Sequence, residues 1–114
     1  MTPAVRIRLQ DMLEYARGAV TLLQRHHRSG VLADWGLQQG LIKAIEVVGE
    51  AALKIPTLER PSLGDLPWDQ VVGMRHHLAH GYGAVRIEVL FDVVEEHLPP
   101  LIAQLEQLLR GETP

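Results

Sequence analysis

The sequence contains no cysteine. A disulfide framework, a thiolate zinc site and a cysteine nucleophile are thereby excluded, and a cytoplasmic setting is favoured. Aromatic residues are scarce: one Phe, two Tyr and two Trp, too few for a platform on which successive bases stack. Positive charge is not in excess either, since 11 Lys+Arg stand against 14 Asp+Glu for a formal net charge of -3. A protein that coats long stretches of nucleic acid is usually basic, so what remains open is a small local phosphate site. No apolar run approaches the ~18 residues of a membrane span, and no basic-then-apolar leader opens the chain. What is present is ordinary for a globular protein, 46% hydrophobic and 22% charged over 114 residues. That is enough for one core, and the expected organisation is a single domain over 1–114.

Apolar residues recur at helical spacing in four segments. Thr2-Pro3 supplies a capping hydroxyl and a proline for the first helical position. Val5, Leu9, Met12, Leu13, Ala16, Val20 and Leu23 then predict one long amphipathic helix over 3–28, closed by Ser29-Gly30. A second helix is expected from Asp34 to Ile55, with Leu37, Leu41, Ala44, Ile45, Val48, Ala52 and Ile55 inward and Pro56 as its stop. Residues 56–66 hold two prolines and a glycine and read as a surface loop. Pro67-Trp68-Asp69 opens a third helix carrying Val71, Val72, Arg75, Leu78 and Ala79, and Gly81-Tyr82-Gly83 ends it. The fourth is expected over 85–110, with Ile87, Leu90, Phe91, Val94, Leu98, Leu101, Leu105 and Leu108 inward and a kink or break at Pro99-Pro100. No window alternates with period two. The predicted fold is all-α, an antiparallel bundle of four main helices, five if the prolines break the last.

One stretch concentrates chemistry: Arg75-His76-His77-Leu78-Ala79-His80-Gly81-Tyr82. A regular helix puts His76 and His80 on one face, while Arg75 and His80 lie about 140° apart around it. The latter two converge only if the helix ends near Ala79 or a second copy of the chain completes the site. Three uses compete. A metal held by His76 and His80 would mimic the zinc-protease helix, but His77 stands where that motif needs its glutamate base. The imidazoles would otherwise be solvated, with Arg75 paired to an acid such as Glu50. The third use is RNA cleavage without a metal. It needs a base near neutral pKa for the 2′-hydroxyl proton, an acid for the leaving 5′-oxygen and a cation for the charge building on phosphorus. Histidine serves either proton-transfer role and arginine clamps phosphate oxygens bidentately, so Arg75 and His80 form the minimal pair, with no cofactor.

The Arg-x4-His spacing of Arg75 and His80, followed by Gly81-Tyr82, resembles the signature of the HepT-like toxins of the HEPN superfamily. The segment Ile45-Glu46-Val47-Val48-Gly49-Glu50-Ala51-Ala52 resembles that family's second-helix block. Pro67-Trp68, and Leu90-Phe91-Asp92-Val93-Val94 before Leu98-Pro99, match it in kind and order. The resemblance spans about residues 34–109. It implies a HEPN-like bundle that forms a homodimer, bringing two copies of the motif into one cleft. It also implies metal-independent endoribonuclease activity on an RNA substrate, as the toxin of a type VII-like toxin–antitoxin pair. The antitoxin would be a minimal, MntA-like nucleotidyltransferase that silences the toxin by transferring AMP to the motif tyrosine. On this sequence Arg75 and His80 would be catalytic and Tyr82 the modified residue. The residue after the arginine is commonly small and polar in that family; here it is His76, able to orient an RNA group or act as a second acid. A non-catalytic helical subunit of a nucleotidyltransferase complex is the alternative.

Three further features stand outside the motif. Arg25-His26-His27-Arg28 reads either as complement to the dipole at the end of the first helix or as a flank contacting RNA. Glu50 is either a buried partner orienting Arg75 or a solvated helix residue. Trp68 reads as a core or interface anchor.

Overall fold

The computed structural model describes residues 1–79 and 86–111, apart from the side chains of 75–79. Among these residues the chain is all helix and turn: α1 (Pro3–Leu32), α2 (Trp35–Leu53), α3 (Trp68–Ala79), α4 (Ile87–Asp92) and α5 (Leu98–Gly111). A single 3₁₀ turn at Arg60–Leu63 interrupts the predicted loop. The expected all-α bundle is what forms.

Helix starts follow the sequence signals. The Thr2 hydroxyl accepts from the Val5 N–H at 3.1 Å, with Pro3 in the first turn. Asp34 Oδ1 accepts from the Leu37 N–H at 3.0 Å and opens α2. Each cap satisfies an amide that the helix itself cannot pair.

Two boundaries differ from expectation. Ser29-Gly30 does not close α1. The chain instead kinks at His27, whose φ of 59° and ψ of 168° are non-helical, and then resumes the helix to Leu32. The final turn is held from outside: Val31 is fully buried, and Gln38 Nε2 donates to the carbonyls of Val31 and Leu32 at 3.1 and 3.2 Å. The backbone region taken by His27 is nearly glycine-only and stores about 1–3 kcal/mol. The second difference lies before the proline pair rather than at it. A π-helical turn spans Val93–His97, closed by the Leu98 N–H on the Val93 carbonyl. In a regular helix the rings of Pro99 and Pro100 would meet the carbonyls four residues back, those of Glu95 and Glu96. The widened turn relieves that clash, and the prolines fall in the first turn of α5, where no donor is required.

The helices bury the predicted stripes against one another. Leu9, Met12, Leu41, Val48, Leu98 and Leu105 are completely buried, and no described polar or charged residue is. Val20, Leu37, Val72, Ile87 and Leu108 are partly buried at the margin of that core.

Cross-links fix the directions. A connection of only Ala33 and Asp34 makes α1 and α2 antiparallel. Arg60 ties the end of α2 to the start of α3: its Nε donates to the Ile55 carbonyl at 3.2 Å, and its guanidinium lies 5.2 Å from the Trp68 ring centroid. Arg28 pairs with Glu95, and Arg17 pairs with Glu106 at 2.7 Å, so α4–α5 run back down α1. The last turns of α1, the start of α2, the last described turn of α3 and the start of α4 therefore share one end of the bundle.

Candidate functional site

Helix α3 carries Arg75, His76 and His77 toward that shared end. Their side chains, and all of His80, Gly81 and Tyr82, lie outside the described residues. Around them the structure supplies a frame. Val71 is buried and anchors α3 on α2, and Trp68, half-buried against the core, holds its start. The Trp68 indole Nε1 is buried without a hydrogen-bond partner. Packing and the Arg60 guanidinium over its ring therefore account for its position, in keeping with the anchoring role read from the sequence.

Glu50 is exposed, and its carboxylate faces Lys54 Nζ at 3.7 Å, one helical turn on. The buried-partner alternative does not fit that exposure. No group of three or more His, Asp or Glu side chains able to hold a metal occurs among the described residues. No helix among them is long and apolar enough to cross a membrane.

The basic run Arg25-His26-His27-Arg28 lies at the kink at His27, so Arg25 and His26 fall in the last turn of the regular helix that begins at Pro3, while the short stretch beyond it to Leu32 carries no basic residue in its last turn. Arg28 instead reaches across to α4–α5. Its Nε donates to Glu95 Oε1 at 2.7 Å, and its guanidinium lies 5.1 Å from the Phe91 ring centroid. The hydrogen bond to Glu95 pushes the Arg28 guanidinium above its ordinary pKa, opposed by partial loss of water. The pair tethers the kinked end of α1 to the π turn.

The structure adds a feature that the stripes did not highlight. Trp35 is 74% exposed at the start of α2, next to Leu32 at 53%. Its position two residues before Leu37 puts it about 200° from the buried stripe, a signal present in the spacing. This aromatic surface lies at the bundle end shared with α3.

An all-α bundle whose third helix carries the arginine of an Arg-x4-His run in the sequence defines a class. A profile of the Ribonuclease HepT-like family matches residues 12–108, and the chain belongs to that family. It is 32% identical over 103 residues to a protein of Thermococcus cleftensis named "Probable ribonuclease HepT", covering 87% of this chain and 94% of that one. A protein of Caldanaerobacter subterraneus, named as a candidate RNase, is 28% identical over 67% of this chain and 68% of its own. One from Methanocaldococcus jannaschii, named likewise, is 26% identical over 93% of this chain and 88% of its own. No solved structure matches the chain.

Proposed function

We propose that the protein is a metal-independent endoribonuclease, the toxin of a toxin–antitoxin pair, acting in the cytoplasm as a homodimer. The observation that carries this reading is family membership across residues 12–108 together with Arg75 and His80 at the motif spacing on and just beyond α3. In the proposed reaction His80 takes the proton of the RNA 2′-hydroxyl. The 2′-oxygen then attacks the adjacent phosphorus, and the bond to the 5′-oxygen breaks. Arg75 holds the phosphate oxygens as charge gathers on them, and the leaving oxygen takes a proton from the second motif copy or from His76 or His77. The products are a 2′,3′-cyclic phosphate and a 5′-hydroxyl. Cleavage of single-stranded RNA by purified protein should therefore proceed unchanged in excess EDTA and yield the cyclic end, readable by mass spectrometry of the fragments. Loss of activity in chelator, restored by a divalent cation, would refute the metal-free mechanism.

The partner in this proposal is an MntA-like nucleotidyltransferase that modifies Tyr82. The phenol gives up its proton to a base of the partner enzyme, its oxygen attacks the α-phosphorus of ATP to form an ester bond, and the α–β phosphoanhydride bond breaks to release pyrophosphate. The attached phosphate then occupies the place an RNA phosphate needs beside Arg75 and His80. Co-expression with the cognate enzyme should add one or more AMP increments to the intact mass, absent in Tyr82→Phe. If Tyr82→Phe is modified and silenced to the wild-type extent, the target is another residue.

A further inference from the structure

Residues 6, 13 and 17 share one face of α1, and residues 106, 109 and 110 share one face of α5. The two faces meet in an open groove of about 400 Å³ lined by Arg6, Leu13, Arg17, Glu106, Leu109 and Arg110. Three guanidiniums thus stand around a single carboxylate. That carboxylate is already engaged, since Glu106 Oε2 accepts from Arg17 Nη2 at 2.7 Å. Neither Arg6 nor Arg110 has a side-chain hydrogen bond or an ion pair among the described residues. The contrast with comparable side chains is sharp. The other half-buried arginines whose side chains are described, Arg8 and Arg60, each have an acceptor: Asp11 for the first, the Ile55 carbonyl for the second. Arg6 is half-buried too and has none, and the first turn of α1 supplies no acid. A guanidinium that has lost part of its water shares a groove with a second one, and the fold answers neither charge.

The chemistry narrows the ligand. Guanidinium forks match the paired oxygens of a phosphate. The groove is open and has no walls to close around a small anion, and one phosphate on solvated arginines gains little in water. A strand of phosphates gains more, because each one neutralised releases condensed counterions. The chain as a whole carries a net charge of -3, so a polyanion is held only where positive charge gathers locally.

We propose that this groove is a phosphate-binding exosite, in which Arg6 and Arg110 hold the backbone of the RNA at a distance from the scissile bond. The choice of RNA rests on the ribonuclease reading above; the choice of phosphate rests on the two unpaired guanidiniums. Arg6 begins α1 and Arg110 ends α5, so the exosite lies at the end of the bundle opposite the last described turn of α3. The bundle is 45 Å long. An RNA that reaches both places must extend well beyond the few nucleotides around the cut, and the substrate class this selects is long or folded RNA.

The test uses the full chain with methyl-labelled leucine and two 2′-O-methyl RNAs, whose blocked 2′-oxygens prevent cleavage. One is a short single strand; the other carries the same strand on a stem longer than the 45 Å bundle. The long RNA should shift the methyl resonances of Leu109 and Leu13, and the short one should leave them in place. Replacing both arginines, Arg6→Gln with Arg110→Gln, should weaken the long RNA about tenfold. It should also lower the slope of log affinity against log salt by about 1.4–1.8, the share of two phosphates. Binding of the short RNA and the melting temperature should not change. Glu106→Gln should act in the opposite direction and tighten the long RNA, because it frees Arg17; a merely structural ion pair would not do so. Equal binding of the long RNA by wild type and the double variant overturns the exosite. Inorganic phosphate that moves the Leu109 methyls when the long RNA does not overturns the assignment to RNA. Cleavage of ordinary RNA in either case leaves the ribonuclease reading standing. Methyl shifts with the long RNA, but no cleavage of any RNA, support the exosite and overturn the ribonuclease reading.

Discussion

Alanine at His80 or at Arg75 is expected to lower RNA cleavage by about 10²-fold or more, the usual range for losing a positioned proton-transfer group. The two losses have different origins. In the proposed mechanism, the 2′-hydroxyl keeps its proton without His80, and the charge on phosphorus lacks its bidentate donor without Arg75. Their spacing also allows a sharper result. If one dimer cleft takes its arginine from one protomer and its histidine from the other, mixing the two inactive variants rebuilds an intact site in each mixed dimer. Activity should then return to a fraction of wild type after subunit exchange, measured on the same RNA substrate. No recovery, in dimers shown by mass spectrometry to be mixed, would mean that each protomer supplies its own pair. Full cleavage by both single variants would remove the motif from the chemistry and assign it to other residues, whereas a wild-type chain that cleaves no RNA would leave the non-catalytic subunit as the better account.

The largest loss of stability is expected from Phe91→Ala, about 3–5 kcal/mol, read from urea denaturation. Phe91 is 2% exposed on α4 and lies beneath the guanidinium of Arg28. Truncation opens a void between α4 and its neighbours and removes the ring face on which the arginine rests. Leu58 is the matched control: it is 94% exposed, and its truncation should change stability by no more than about 0.5 kcal/mol. A loss below about 1 kcal/mol at Phe91 would show that α4 is not docked as described.

Much of this architecture is legible in the sequence because it is written in local chemistry. Thr2 and Asp34 each accept the amide bond that their position promises, and the spacing of Leu9, Met12, Leu41 and Leu105 marks positions that are fully buried. The irregular places are harder. Ser29-Gly30 is a helix stop by composition, yet Gln38 and the buried Val31 hold another turn of helix around it, a tertiary effect with no local signal. Pro99-Pro100 announces a disturbance, but the strain is taken up by the carbonyls upstream, so the π turn precedes the pair. Positive φ at a histidine has no signature at all. In the sequence, the run from Arg75 to Tyr82 stands out because so many ionisable groups crowd into eight residues.

The two indoles divide the molecule optically. Trp35 stands in water at the start of α2, while Trp68 is packed against the core at the start of α3. Since those helices run in opposite directions, the two rings mark opposite ends of the bundle, separated by roughly the ~28 Å length of α2. An exposed indole emits further to the red and is open to soluble quenchers, whereas a packed one is shielded. The protein thus has two intrinsic fluorophores that are spectrally distinct and spatially assigned. Quencher-sensitive emission reports events at the end where α3 delivers its motif, and the shielded component reports whether the far end of the bundle stays folded.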